Sequence, residues 1–132
     1  MKVKLNVDTF FEALITDGDP PCLRVALADS ESAQYLVLQR SQPFVDPADA
    51  GVYVEVNDPH YSGYDRISSC EVTANAMLVR MSMPLGGRPN SIRSVEATFK
   101  PEQQPKPEFI ARLRAIFTGR ETLLRVSGSP AG

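Results

Sequence analysis

The fold class is decided by residues 92–119, which read IRSVEATFKPEQQPKPEFIARLRAIFTG. In the first part of this stretch, Val95, Ala97 and Phe99 alternate with polar neighbours, which is the pattern of a strand with one buried face. After the proline-rich break, apolar side chains recur at the spacing of a helix instead. The sequence therefore predicts a strand followed by a helix, and so a mixed fold.

The predicted helix covers residues 107–118. Pro107 suits the first helical turn, Glu108 complements the positive end of the helix dipole, and Gly119 is placed to end the helix. We expect its apolar face to pack across a sheet. The apolar positions at helical spacing are Phe109, Ile110, Leu113, Ile116 and Phe117.

Apolar segments upstream predict further strands. These segments cover residues 2–7, 22–28, 35–40, 52–56, 67–73 and 76–83. The segment at 35–40 is evenly apolar, which is typical of a central strand covered on both faces. In the last segment, Met77, Val79, Met81 and Met83 share one side and are predicted to face the core.

Three other segments are less regular. Residues 8–15 fit either a strand or a short helical turn, and residues 122–126 fit either a last strand or an extension of the helical packing. Residues 57–64 are predicted to form a loop, because the proline and glycine in this segment favour turns.

These segments together predict an α+β fold. We expect six to eight mostly antiparallel strands in a curled or sandwich-like arrangement, with one C-terminal amphipathic helix packed on them. At 132 residues the chain suits one hydrophobic core. We expect a single domain over residues 1–126 and a frayed tail at 127–132.

The charges are distributed unevenly along the chain. Residues 1–79 contain twelve acidic and five basic residues, whereas residues 80–132 contain four acidic and nine basic ones. This pattern disfavours nucleic-acid binding and permits an acidic face that meets a basic protein, unless folding brings the two halves together and neutralises them. No long apolar stretch predicts a membrane span, and the N-terminus lacks the pattern of a signal peptide, so we expect a cytoplasmic protein.

The sequence contains no pattern that indicates catalysis, a cofactor or a metal site. Cys22 and Cys70 are far apart and are predicted to be buried free thiols. His60 is the single histidine of the chain, and no nucleophile motif joins it to Asp58 and Cys70. The sequence therefore favours a binding protein over an enzyme.

An acidic, tyrosine-bearing segment is the strongest candidate for a binding surface. No lysine or arginine lies between Arg40 and Arg66. Two predicted loops belong to this segment: 42–51 lies inside it, and 57–66 ends at Arg66. Acidic groups steer basic partners, and tyrosines supply rigid contact area. The alternative is a solvated acidic edge with tyrosines packed beneath it. The candidate binding residues are Asp46, Asp49, Glu55, Asp58, His60, Tyr61, Tyr64 and Asp65, with Tyr53 beside them.

Four pieces of the sequence together resemble a known family. Residues 35–41, 53–58, 62–64 and 77–80 are similar in order and spacing to the immunity protein 10 family of bacterial polymorphic toxin systems, over roughly residues 3–117. The resemblance implies a cytoplasmic, non-catalytic protein that binds and neutralises a cognate toxin domain. We hypothesise, from the acidic segment itself, that the candidate residues above form the toxin-binding set. The alternatives are a small-ligand-binding or regulatory domain without catalysis, a hydrolytic domain, or a structural module of a secretion locus.

Overall fold

The segments predicted to be strands form strands in the described part of the chain. The computed structural model describes residues 1–15, 21–41, 51–87 and 89–127. The strands found there are β1 Lys2–Val7, β2 Thr9–Ile15, β3 Cys22–Asp29, β4 Gln34–Ser41, β5 Tyr53–Val56, β6 Asp58–Tyr64, β7 Ile67–Val72, β8 Ala76–Leu85, β9 Ile92–Phe99 and β10 Leu124–Val126. The helix α1 spans Pro107–Ile116, and a short 3₁₀-helix covers Glu121–Leu123.

The strands form two five-stranded sheets. The first sheet has the order β1-β9-β8-β7-β10 and the second has the order β2-β3-β4-β5-β6. Neighbouring strands are antiparallel except for the β1–β9 and β10–β7 pairs, which are parallel. The predicted α+β class with a mostly antiparallel sheet is therefore confirmed.

The described residues contain more strands than the six to eight predicted. The ambiguous segment at 8–15 is a strand that pairs with β3 along its whole length. Residues 58–64, predicted to be a loop, form β6 at the edge of the second sheet. An edge strand tolerates Pro59, since its missing N–H group need not bond to a further strand. The segment at 122–126 provides β10.

The two sheets and the helix share one hydrophobic core. Alternate residues of β1, β3 and β9 are buried there, and in β9 they include Val95, Ala97 and Phe99, as predicted. The helix lies against β2, β3 and β4. It ends two residues earlier than predicted, and Gly119 adopts a left-handed conformation just beyond it, with φ of +81°. Four apolar side chains of the helix and its C-terminal cap are buried, namely Phe109, Leu113, Ile116 and Phe117.

Two predictions about buried faces are wrong. The central strand β4 is fully buried on one face only, because Leu36 and Leu38 are buried while Val37 between them stays partly exposed. In β8, Met77 is buried but Met83 is 56% exposed. The register of the β8–β9 pair shifts after Arg80, so the alternation that placed Met83 in the core does not continue that far.

A buried arginine joins the second sheet to the helix. Arg40 is 1% exposed, and its Nη1 atom donates hydrogen bonds to the carbonyl oxygens of Ile116, at 2.9 Å, and Thr118. A cation is favourable there, because the C-terminal end of a helix carries partial negative charge. Burial and the nearby positive charge of Arg120 lower the pKa of Arg40, and the carboxylates of Asp65 and Glu121 offset part of this effect.

Candidate functional site

The outer face of the second sheet is open to solvent in the part of the chain that the structure describes. We call it the open face. Its side chains alternate with those that enter the core. Cys22, at one end of this face, is buried, and the side chains named next are at least partly exposed. They are Thr9, Phe11, Ala13, Arg24, Ala26, Ala28, Tyr35, Val37, Gln39, Tyr53, Glu55, Ser62 and Tyr64.

Aromatic and small apolar side chains make up much of the open face. Phe11 is 47% exposed and Tyr64 is 64% exposed. Tyr53 and Tyr64 are cross-strand neighbours whose ring centroids lie 5.3 Å apart. Ala26 and Val37 lie between Phe11 and these tyrosines in the strand order. The described part of this face therefore combines exposed aromatic rings and small apolar side chains with the polar Arg24, Gln39, Glu55 and Ser62. Exposed aromatic side chains of this kind are suited to contact with a partner.

A carboxylate with a fixed orientation, that of Glu55, lies on the open face. The Tyr53 hydroxyl donates a hydrogen bond to Glu55 Oε1 at 2.5 Å, and the Tyr35 hydroxyl donates one to Glu55 Oε2 at 2.5 Å. Burial raises the pKa of both tyrosines, and the hydrogen bonds to Glu55 raise it further. Both hydroxyls therefore keep their protons at neutral pH and hold the carboxylate in one orientation.

Arg24 is the one basic residue among the described residues of the open face. Its Nε atom donates to Gln39 Oε1 at 2.8 Å. Glu55, in contrast, forms no ion pair with any lysine or arginine of the described ranges. Among the described residues, its oxygens accept hydrogen bonds from the neutral hydroxyls of Tyr35 and Tyr53.

The predicted binding residues fall into separate places. Glu55 and Tyr64 lie on the open face, and Tyr53 lies there with them. Asp58 and His60 are exposed on the edge strand β6, where the His60 N–H donates to Asp58 Oδ1 at 2.8 Å. Asp46 and Asp49 lie outside the described residues.

Tyr61 and Asp65 have structural contacts instead. Tyr61 is half-buried against the core, and a Cβ atom added to Gly86 would clash with its ring. Asp65 has φ of +53°, and its Oδ1 atom lies 3.0 Å from Nε of Arg120 and accepts the Val52 N–H. The structure therefore does not bring these two residues together with Glu55.

Sequence reasoning missed several residues of the open face. Tyr35, which holds Glu55, was assigned to a strand covered on both faces, and Phe11 was in the ambiguous segment. A signal was present, since Tyr35, Val37 and Gln39 alternate with the buried Leu36 and Leu38.

A second feature is a cleft of about 410 Å³ between β2 and the segment that precedes α1. Phe10 and Phe109 form part of its wall, with ring centroids 5.3 Å apart in an edge-to-face arrangement. Three carboxylates and one lysine also line it. The full lining is Asp8, Phe10, Glu12, Glu102, Gln103, Gln104, Lys106 and Phe109.

Comparison of the chain with protein-family models, with curated proteins and with solved structures gave no match. Within the described ranges, no group of three or more histidine, cysteine, aspartate or glutamate side chains is arranged to hold a metal ion. None of the helices described has the length and apolar character that crossing a bilayer requires.

Proposed function

We propose that this protein is a non-catalytic binding protein of the bacterial cytoplasm that neutralises a cognate polymorphic toxin domain by binding it. The observation that carries the proposal is the open face, an uncovered sheet surface with exposed aromatic rings and few charges. The resemblance of residues 3–117 to immunity protein 10 supports the same function.

The composition of the open face suits protein recognition. The centres of protein interfaces are rich in tyrosine and other aromatic residues and poor in charged ones. Phe11 and Tyr64 stand at opposite ends of this face and contribute little to the core, since about half or more of each side chain is exposed. Their burial by a partner would remove apolar surface from water, which favours association.

The test is protection of a bacterial host that expresses the toxin domain encoded beside this protein. We expect the wild type to restore growth and to form a complex with the toxin in purified form. The double variant Phe11→Ala, Tyr64→Ala should keep its melting temperature within a few degrees and lose protection, because it removes contact area and little core. Met83→Ala, which removes an exposed side chain of the first sheet, is the matched control and should protect fully.

Full protection by the double variant, at equal amounts of folded protein, would show that the toxin does not bind the open face. Failure of the wild type to bind or protect against the toxin would contradict the proposed function itself.

A small-ligand-binding function is the second candidate, and the cleft beside β2 favours it. Its volume of about 410 Å³ falls in the usual range for ligand pockets, and it combines two aromatic rings with polar groups. Phe10→Leu would change the wall of the cleft and leave the open face intact. Loss of toxin protection in this variant, with unchanged stability, would indicate that the functional site is the cleft and not the open face.

A further inference from the structure

The Glu55 carboxylate and its two tyrosines form an array of hydrogen-bond acceptors. Each tyrosine uses its single hydroxyl proton on Glu55. Ser62 makes a further side-chain hydrogen bond with the Tyr53 hydroxyl. The lone pairs that remain on the carboxylate and on the two hydroxyl oxygens accept hydrogen bonds, and these groups have no other proton to donate. A group that binds this array must bring several donors.

The negative charge of the array indicates that the group it binds is cationic. Glu55 has no basic partner among the described residues, and a second carboxylate, Asp58, also acts electrostatically on Tyr35. Arg24 shares the face but bonds to Gln39. A partner that presents a positive charge here would gain a charge-assisted hydrogen bond without displacing a resident cation.

We propose that the open face binds an arginine side chain of a protein partner, whose guanidinium group donates to Glu55 and to the hydroxyl oxygens of Tyr35 and Tyr53. This inference rests on the proposed function, and it names the chemistry of the partner at that site. The Tyr53–Tyr64 ring pair, next to the carboxylate, supplies the aromatic surface on which a guanidinium plane stacks.

Arginine fits the array better than lysine does. A guanidinium is planar, offers donors in a fixed fork and is weakly hydrated, whereas an ammonium is a strongly hydrated point charge. The hydroxyls already hold the carboxylate in one orientation, so binding loses less side-chain entropy at Glu55 than at a freely rotating surface glutamate.

The test uses a small probe and no toxin. Nα-acetyl-arginine methylamide is titrated into the full chain, and the NMR signals of the tyrosine rings and of Glu55 are followed. The matched lysine and citrulline methylamides are titrated in parallel. We expect saturable shifts at Tyr35, Tyr53 and Glu55 with the arginine probe, weaker affinity for lysine, and no saturation with citrulline, which keeps the shape and loses the charge.

Variants locate the site. Glu55→Gln should weaken the affinity for the arginine probe by about tenfold or more, since it removes the charged acceptor. Tyr35→Phe and Tyr53→Phe should each weaken it less. Glu71→Gln, which alters a carboxylate of the first sheet that pairs with Arg80, is the control and should bind the probe as the wild type does.

The inference is overturned if the arginine probe gives no saturable shift at Glu55, or if citrulline or lysine binds equally well. It is also overturned if the protein forms a dimer that Glu55→Gln dissociates, because a second copy would then occupy the face. A protein that protects against the toxin but does not bind the probe refutes this inference alone. A protein that binds the probe but gives no protection refutes the proposed function.

Discussion

The Nη1 atom of Arg40 lies 2.9 Å from the carbonyl oxygen of Ile116, so the centre of the second sheet is bonded directly to the last residue of the helix. A second bond from the same atom reaches the carbonyl of Thr118. The residues joined are far apart in sequence, and the contact is buried. It holds the helix on the inner face of the sheet and leaves the outer face open.

Arg40→Met should lower the free energy of unfolding by about 2–4 kcal/mol, because it leaves two helix-end carbonyls without a donor and removes a buried charge from its partners. Urea denaturation followed by circular dichroism measures this change. Arg24→Met is the control and should cost less than about 1 kcal/mol, since Arg24 is partly exposed and bonds to one side chain. Equal losses in the two variants would contradict the anchoring role of Arg40.

Gly86→Ala should destabilise the fold by about 2 kcal/mol or more, because Gly86 has φ of +78° and a methyl group there would press into the Tyr61 ring. Gly87→Ala is the matched control, since a methyl group at Gly87 meets no atom within 4 Å. It should change the stability by about 0.5 kcal/mol or less. Thermal melts of the two variants decide the matter, and a similar melting temperature for both would show that Tyr61 does not pack against Gly86.

Tyr61→Ala should cost more stability than Tyr64→Ala. Tyr61 is half-buried against the core, so its loss should cost about 2–3 kcal/mol. Tyr64 is 64% exposed and contacts Tyr53, so its loss should cost less than about 1 kcal/mol. Chemical denaturation gives both values. If Tyr61→Ala keeps full stability, the ring does not belong to the core.

The stability should fall as the pH rises above 9. Burial raises the pKa of the Cys70 thiol from its usual 9.0 to about 12, so the folded protein keeps this proton over a range in which the unfolded chain loses it. The unfolded state then binds fewer protons, and the free energy of unfolding decreases with pH. The raised pKa of Tyr35 acts in the same direction above pH 10.

Melting temperatures between pH 8 and pH 11 measure this decrease. Cys70→Ala should show a shallower decrease than the wild type, because it removes one of the groups responsible. An identical pH dependence in the two proteins would show that Cys70 ionises as easily in the folded state as in the unfolded chain.

Much of the fold could be predicted from local patterns. Alternation at Val95, Ala97 and Phe99 and helical spacing at Phe109 and Leu113 correctly indicated which side chains are buried. These predictions succeeded because a strand or helix with one apolar stripe must bury that stripe, whatever its neighbours are. Residues 58–64 were misassigned because their proline and glycine favour turns, while pairing with β5 stabilises a strand at the sheet edge.

Part of the candidate site could be predicted in the same way. The sequence itself determined that Glu55, Tyr53 and Tyr64 belong to an acidic, tyrosine-bearing segment without a nearby base. It did not determine that Tyr61 packs inward or that Asp65 pairs with Arg120, because both depend on residues distant in the chain.

Only the tertiary structure decided that Tyr35 holds Glu55 and that Phe11 shares a surface with Tyr64. These residues lie on four different strands. The register of each strand pair determines on which face of the sheet each side chain lies. A register shift of one residue would turn every side chain of a strand to the other face. The alternation of a single strand determines which residues lie together, whereas the pairing of five strands determines which of them meet on one open face.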